Sequence, residues 1–199
     1  MPRISYLIPV VLSLVLLGGG CASSVPEAKV VEGTTGIMAE ESSYAFPGVL
    51  PLEEIQNKRV RLHTEKGDIL FELFADTAPN TVSNFVYLTK EGYYDGLTFH
   101  RRVEGFVIQG GDPRGTGTGG PGYKFADELN DEYAYDRGIV AMANSGSNTN
   151  GSQFFIMLAD NPLPKSYSIF GRVLEGMDVV DAIAVGDKML EVTVEDNTK

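Results

Sequence analysis

Neutral amides and one arginine recur at alternating positions in three apolar stretches, LTFHRRV, GFVIQGG and SQFFIML. Alternate residues of a β-strand point to the same face of a sheet. The sets that would share a face are Phe99, Arg101 and Val103 in the first stretch, Val107 and Gln109 in the second, and Gln153 and Phe155 in the third. An apolar surface with one cation and several amides suits an uncharged, peptide-like ligand.

The sequence offers few residues for metal, cysteine or serine catalysis. The chain has one cysteine, Cys21, and two histidines, so we expect neither a metal site nor a Cys–His pair. The segment GSQFF lacks the second glycine of the G-x-S-x-G turn found in serine hydrolases. We also expect no cofactor.

A glycine-rich stretch, GTGTGGPG at residues 115–122, fits the dinucleotide pattern G-x-G-x-x-G at Gly115, Gly117 and Gly120. A dinucleotide loop must leave a buried parallel strand and open a helix. This loop is entered through Asp-Pro and left through Pro-Gly-Tyr with no helical period behind it, and no Gly-Lys-Ser/Thr follows. Nucleotide binding is therefore disfavoured.

The 199 residues favour one globular domain, and their formal charge of -11 disfavours a nucleic-acid partner. Strand patterns flank the turn EKGD in RVRLHTEKGDILFELF, and helical spacing marks APNTVSNFVYLTKEG, with Pro79 at its start and Gly92 at its end. EGMDVVDAIA predicts a second helix. Seven or eight short strands without strict strand–helix alternation favour an antiparallel sandwich or barrel. Plain core candidates are Val103, Ile108, Met142 and Ile156.

The N-terminus has the layout of a signal peptide. One arginine precedes a 12-residue apolar run, too short to span a bilayer, and residues 1–20 end in LLGGG. LLGGGCASS resembles the lipobox of bacterial lipoproteins, and the resemblance implies lipidation of Cys21. One departure is Gly18, which stands where leucine is usual. The alternative is an incidental cysteine after an ordinary cleavage site. Residues 21–57 are predicted to form a flexible tether, and residues 58–199 the folded domain.

Three blocks, FHRRVEGFVIQGGDPRGTGTGGPGYKFADE, AMANSGSNTNGSQFFIML and IFGRVLEGMDVV, resemble the signature blocks of the cyclophilin family of peptidyl-prolyl cis-trans isomerases. The resemblance runs from about residue 59 to 194 and is closest to the short prokaryotic type. It implies a mainly β fold, a closed eight-stranded antiparallel β-barrel capped by two α-helices.

The same resemblance implies roles for single residues. Arg101 would be the catalytic arginine, and Gln109 the group that orients it. Substrate would contact Phe106, Val107, Ala143, Asn144, Gln153, Phe155, Leu163 and Tyr167. A second pocket, for a residue on the N-terminal side of the target proline, would involve Gly117, Thr118, Tyr123, Lys124, Ser145 and Thr149.

Neighbouring residues receive structural interpretations. Arg102 lies on the opposite strand face and is expected to balance local acids, and His100 is expected to be buried and hydrogen-bonded. Phe154 and Phe155 point to opposite faces, so one of them is expected in the core. The resemblance implies that this is Phe154 and that Phe155 lies in the pocket. The loop NPLPKSY is one residue shorter than in many members and has no Trp, so weak cyclosporin binding is expected.

The implied function is acceleration of X-Pro bond rotation in exported or unfolded proteins, which assists their folding. We expect a monomeric, membrane-anchored lipoprotein on the periplasmic face or the cell surface of a bacterium, with proline-containing segments of client proteins as partners. The alternative is a cyclophilin-fold peptide-binding module, or holdase, with incidental turnover.

Overall fold

The computed structural model describes residues 44–197. Its element order is α1 (Leu52–Ile55), β1 (Lys58–Thr64), β2 (Gly67–Leu73), α2 (Pro79–Lys90), β3 (Arg101–Val103), β4 (Val107–Gly110), β5 (Ile139–Met142), β6 (Phe154–Met157), β7 (Ile169–Glu175), α3 (Met177–Ala182) and β8 (Met189–Asp196). The predicted signal peptide and residues 21–43 of the predicted tether, including Cys21, lie outside the described residues.

All eight strands form one antiparallel sheet with the order β3-β4-β6-β5-β7-β2-β1-β8. The mainly β, antiparallel fold is thus confirmed, with both predicted helices present and α1 in addition. The edge strands β3 and β8 are not joined by a continuous ladder. An isolated bridge between Thr98 and Lys188 links the segments that lead into them. Full closure of the barrel stays a prediction.

Local chemistry explains where α2 begins and ends. Pro79 occupies the first turn, where its missing N–H costs nothing, and Gly92 just beyond the end has φ 68°. No side chain of the helix caps its N-terminus. The carboxylate of Glu128 does so instead, accepting the backbone N–H of Asn80 at 2.9 Å and of Thr81 at 2.8 Å. A carboxylate at this end also suits the helix dipole.

The segment from residue 44 to residue 57, which we call the N-terminal arm, packs against the sheet domain. Ile55 is fully buried in the core, and Tyr44, Phe46 and Leu50 pack against the same core. The arm lies within the segment predicted as a tether, and the folded domain covers its apolar side chains. The boundary at residue 58 stays a prediction.

The core lies on one face of the sheet, and a smaller apolar cluster lies on the other. Ile108, Met142, Phe154 and Ile156 are fully buried in the main core, as predicted. The second cluster contains Val107, Tyr135, Ile139, Ala141, Phe155, Met157 and Ile169. Phe154 and Phe155 are thus divided between core and opposite face as expected.

Two expectations for the strand around Arg101 are wrong. Val103 is 36% exposed, and Phe99, predicted to share a face with Arg101, is buried in the main core. The ladder with β4 begins only at Arg101, whereas the N–H of Phe99 donates to the carbonyl of Asp187. The alternation therefore does not run from Phe99 into β3.

No helix of the described residues is long and apolar enough to cross a membrane.

Candidate active site

Strand register places the arginine, an amide and an aromatic ring side by side. Arg101 of β3 pairs with Gln109 of β4, and Gln109 pairs with Phe155 of β6. Directly opposed residues of neighbouring strands project from the same face. The three side chains thus form one row across the face opposite the main core.

This row borders a cavity of about 190 Å³, which we call the Arg101 groove. Its lining residues are Arg101, Phe106, Val107, Gln109, Ala143, Asn144, Phe155, Leu163 and Tyr167. Eight predicted substrate or catalytic residues besides Arg101 are therefore together, and Gln153 lies just outside. Phe155 is only 5% exposed whereas Arg101 is exposed, so a buried aromatic ring and an exposed cation line the same groove.

A chain of side-chain hydrogen bonds runs away from the arginine. Arg101 Nη1 donates to Gln109 Oε1 at 3.1 Å, and Gln109 Nε2 donates to Gln153 Oε1 at 2.9 Å. Gln153 Nε2 then donates to the carbonyl of Gly119 at 2.9 Å. Each amide accepts on one side and donates on the other, so the orientation of every member is defined by its neighbours.

The far wall of the groove is fixed by Asn144 and Tyr135. Asn144 Nδ2 donates to the carbonyl of Ser166 at 2.8 Å, and the hydroxyl of Tyr135 donates to the carbonyl of Tyr167 at 2.9 Å. The ring of Tyr167 meets Phe155 edge to face, with centroids 5.5 Å apart. Burial raises the pKa of Tyr135, so its hydroxyl stays a proton donor at neutral pH.

A second cavity of about 620 Å³, which we call the glycine-loop pocket, adjoins the groove. Gln109, Ala143 and Asn144 line both cavities. All six residues predicted for a second pocket line it, namely Gly117, Thr118, Tyr123, Lys124, Ser145 and Thr149, and so does Gln153. The sequence prediction missed the lining residues Arg114, Gly119, Gly120, Pro121, Gly122, Gly151 and Ser152.

The glycine-rich stretch wraps a carboxylate. Asp112 is 1% exposed, and its oxygens accept the backbone N–H of Arg114 at 2.7 Å and of Thr116 at 3.0 Å. Burial alone would raise the pKa of Asp112. Backbone donors outweigh that effect and lower this pKa below its ordinary value; they belong to Arg114, Gly119, Gly117 and Thr116. The N–H groups that would bind a phosphate are thus directed at an internal anion.

Arg102, on the opposite face from the groove, has two roles. Its guanidinium pairs with Glu104 at 2.8 Å, as expected, and Nη1 donates to the carbonyl of Ile183 at 2.8 Å. The second contact satisfies a carbonyl at the end of α3, where a cation is favourable.

The expectation for His100 is wrong in one respect. Both ring nitrogens are buried but have no hydrogen-bond partner among the described residues. Burial lowers the pKa of His100, which favours the neutral ring. Within residues 44–197, no group of three His, Cys, Asp or Glu side chains could hold a metal ion.

The family model described as cyclophilin type peptidyl-prolyl cis-trans isomerase/CLD matches residues 59–199. The chain belongs to the cyclophilin family. This cyclophilin is 54% identical over 127 residues to the peptidyl-prolyl cis-trans isomerase CYP18-1 of Arabidopsis thaliana, covering 61% of this chain and 79% of that protein. It is 49% identical over 136 residues to a peptidyl-prolyl cis-trans isomerase of Synechococcus elongatus, covering 67% and 93%.

Solved structures agree with these sequence relatives. The cyclophilin type peptidyl-prolyl cis-trans isomerase of Cryptosporidium parvum matches with a TM-score of 0.66 at 38% identity, covering 71% of this chain and 99% of that one. The same protein solved in the presence of the dipeptide Ala-Pro matches with a TM-score of 0.65. Family and relatives together make this cyclophilin a peptidyl-prolyl cis-trans isomerase.

Proposed function

We propose that the Arg101 groove receives the target proline and that Arg101 is the catalytic residue. The observation that carries this proposal is the position of Arg101, a cation whose guanidinium is held by Gln109 in a cavity that the Phe155 ring also lines. Phe106, Val107, Phe155 and Leu163 would contact the proline ring, since they supply most of the apolar lining. Ala143, Asn144 and Tyr167 would face the peptide on either side of it.

The reaction needs no nucleophile. An X-Pro bond isomerises slowly because twisting its partial double bond costs about 20 kcal/mol. In the twisted state the proline nitrogen loses conjugation and gains a lone pair that accepts a hydrogen bond. A donor placed at that nitrogen stabilises the twisted state and hardly interacts with the planar one, which is the condition for catalysis.

Arginine suits this role better than lysine. Its planar guanidinium has several N–H groups, so one can donate to Gln109 while another faces the substrate. Each tenfold in rate corresponds to about 1.36 kcal/mol. A charge-assisted bond of roughly 3 kcal/mol in the transition state would therefore contribute about two powers of ten.

The glycine-loop pocket would hold a side chain on the N-terminal side of the proline. Gln109, Ala143 and Asn144 line both cavities, so one extended peptide could occupy the two in succession. Arg114 and Lys124 give this pocket cationic side chains. The pocket would thus influence which sequences are accepted.

The sequence of residues 1–21 supports a place for this activity outside the cytoplasm. The apolar run, the short glycine segment and Cys21 fit export followed by lipidation, which would anchor a monomeric domain at a bacterial membrane. Its clients would be exported or unfolded proteins whose folding waits on X-Pro rotation. A mass measurement of the mature protein is expected to show a diacylated or triacylated Cys21 as the first residue. An unmodified N-terminus would contradict the anchor and leave the isomerase activity untouched.

Exchange spectroscopy on an X-Pro peptide tests the catalytic assignment. The wild-type protein should accelerate cis-trans exchange, and Arg101→Ala should reduce the acceleration by at least about 100-fold. Arg102→Ala is the matched control, because it removes an adjacent arginine from the opposite face and should leave the rate within about twofold. If Arg101→Ala accelerates exchange as well as wild type, the assignment fails. If wild type binds the peptide without accelerating exchange, a holdase function would replace it.

A further inference from the structure

The N-terminal arm contacts the outer side of the glycine-loop pocket. Its Phe46 ring stacks on Phe125, with centroids 5.0 Å apart and an angle of 8° between planes. The same ring lies 5.8 Å from the ring of Tyr123, a residue that lines the pocket. These contacts involve a part of the chain that precedes the match to the family model, which begins at residue 59.

The two rings under Phe46 belong to a wall with cross-links. The backbone N–H of Phe125 donates to the carbonyl of Asn150 at 3.0 Å. The Tyr123 hydroxyl donates to Asn84 Oδ1 at 2.6 Å, and Asn84 Nδ2 donates to the carbonyl of Gly151 at 2.8 Å. Residues 123–125 and 150–151 are therefore tied to one another, and Phe46 packs on the rings of Tyr123 and Phe125.

Space inside this wall is tight. A Cβ added to Gly151 would lie 3.2 Å from Pro121 Cδ, and both residues line the pocket. Asn84 and Asn150 are fully buried, so their amides have little freedom to take other partners. A shift of Tyr123 would therefore be transmitted to the Gly151 and Pro121 side of the pocket.

The arm is also anchored away from the pocket. Leu50 N–H donates to Ser83 Oγ of α2 at 2.9 Å, and Ile55 is fully buried in the core. Lys90 of α2 pairs with Glu54 at 2.6 Å. These contacts hold the arm at a defined position, so Phe46 can act as a fixed support rather than a loose cover.

We propose that Phe46 is a positioning residue for substrate selection: it holds Tyr123 and Phe125 so that the glycine-loop pocket keeps its shape. This inference rests on the proposed function of that pocket. Phe46 does not line either cavity, so its effect must pass through Tyr123. It should alter the choice among peptides and leave the chemistry at Arg101 unchanged.

The test measures selectivity rather than activity alone. The full-length protein is assayed with peptides that carry a bulky side chain one, two or three residues before the proline. The kcat/KM for each peptide is compared with that for the same peptide with glycine at this position. The largest bulky-to-glycine ratio of kcat/KM in wild type defines the selective position. Phe46→Ala is expected to lower that ratio about threefold to tenfold, through KM, with kcat/KM for the glycine peptide within about twofold.

Matched variants separate positioning from stability. Ile55→Ala also removes an apolar side chain of the arm, in this case a fully buried one. It should lower the melting temperature but leave the ratio unchanged. Phe46→Tyr should restore the wild-type ratio because it keeps the ring. Phe46→Leu, which keeps apolar volume without the stack, serves if Phe46→Ala does not fold. Thr118→Trp fills the pocket directly and should abolish selectivity.

The outcomes differ for the two proposals. If Thr118→Trp alters the ratio and the Phe46 variants do not, the role of Phe46 is overturned while the pocket assignment stands. Equal effects of Ile55→Ala and Phe46→Ala would reduce Phe46 to a stabilising residue and also overturn it. If Thr118→Trp has no effect on the ratio, the pocket assignment itself falls, and the role of Phe46 falls with it.

Discussion

Gln109 lies directly opposite Arg101 in the β3–β4 pair, and its Oε1 accepts the Arg101 Nη1–H at 3.1 Å. Since Gln109 Nε2 is itself held by Gln153, the amide cannot rotate away without losing a second bond. Arg101 is exposed, so this contact is its main restraint within the described residues. The position of the guanidinium therefore depends on the amide.

Gln109→Leu should lower kcat/KM about 10-fold to 100-fold, because an unrestrained guanidinium spends less time where the substrate nitrogen would be. The fall should be mainly in kcat, which peptide exchange at saturating substrate measures. Gln153→Leu leaves the Arg101–Gln109 bond in place and should have a smaller effect. Equal rates for wild type and Gln109→Leu would show that Gln109 does not orient the arginine.

Asp112→Asn should destabilise the protein by about 2 kcal/mol. Both carboxylate oxygens of Asp112 accept backbone N–H groups, whereas an amide would turn its own NH2 donor toward some of those N–H groups. The pKa of Asp112 is lowered in the folded protein, so its ionised form contributes stability above the ordinary aspartate pKa. That contribution is lost as pH falls from the ordinary pKa through the lowered one. Urea unfolding at several pH values should show the gap between wild type and variant narrowing below about pH 4. A gap that is constant between pH 7 and pH 3 would contradict this role.

The sequence predicted what depends on local pattern. Pro79 and Gly92 predicted the limits of α2, and alternation predicted that Phe154 and Phe155 lie on opposite faces of the sheet. The resemblance to the cyclophilin family predicted that residues far apart in the sequence share one substrate site. The cap on α2 by Glu128 could not be predicted, because its partners are 47 and 48 residues away in the chain.

Partners distant in the sequence also explain why the positions of Phe99 and Phe46 were not predicted. Continuous alternation predicts that Phe99 shares a face with Arg101. The backbone N–H of Phe99 instead donates to the carbonyl of Asp187, and the ring is buried in the main core. Phe46 stands in a polar, low-periodicity segment, and only the positions of Phe125 and Tyr123 give it a place to pack. The sequence pattern marks Asp112 only as the residue before a proline at the start of the loop, although Asp followed by Pro and Gly is a common site of hydrogen bonds from the backbone to the side chain.

Gly111→Ala should destabilise the protein by about 3 kcal/mol or more. Gly111 has φ +82°, and an added Cβ would lie 2.3 Å from the carbonyl oxygen of Ser152. That contact is with backbone, so relief requires β4 and the segment before β6 to separate. Gly120→Ala is the control, since nothing lies within 4 Å of its added Cβ, and it should cost about 1 kcal/mol at most. Thermal unfolding of both variants checks the difference; equal losses would show that the close approach is not the cause.

Cyclosporin should inhibit this cyclophilin weakly. By resemblance, a Trp in the loop before Tyr167 supplies much of the contact in many members, whereas this chain has no Trp and a shorter loop. Leu163 and Tyr167 line the Arg101 groove from that loop, and Leu163 offers a smaller apolar surface than an indole would. Loss of one large aromatic contact at a binding surface corresponds to about 2 kcal/mol, or roughly 30-fold in affinity. The inhibition constant is measured for this protein and for a Trp-containing relative in the same exchange assay. Cyclosporin binding to wild type and to Arg101→Ala is compared to check that the inhibitor occupies the Arg101 groove. Equal inhibition constants would mean that other groove residues, Phe155 and Tyr167 first among them, replace the missing ring.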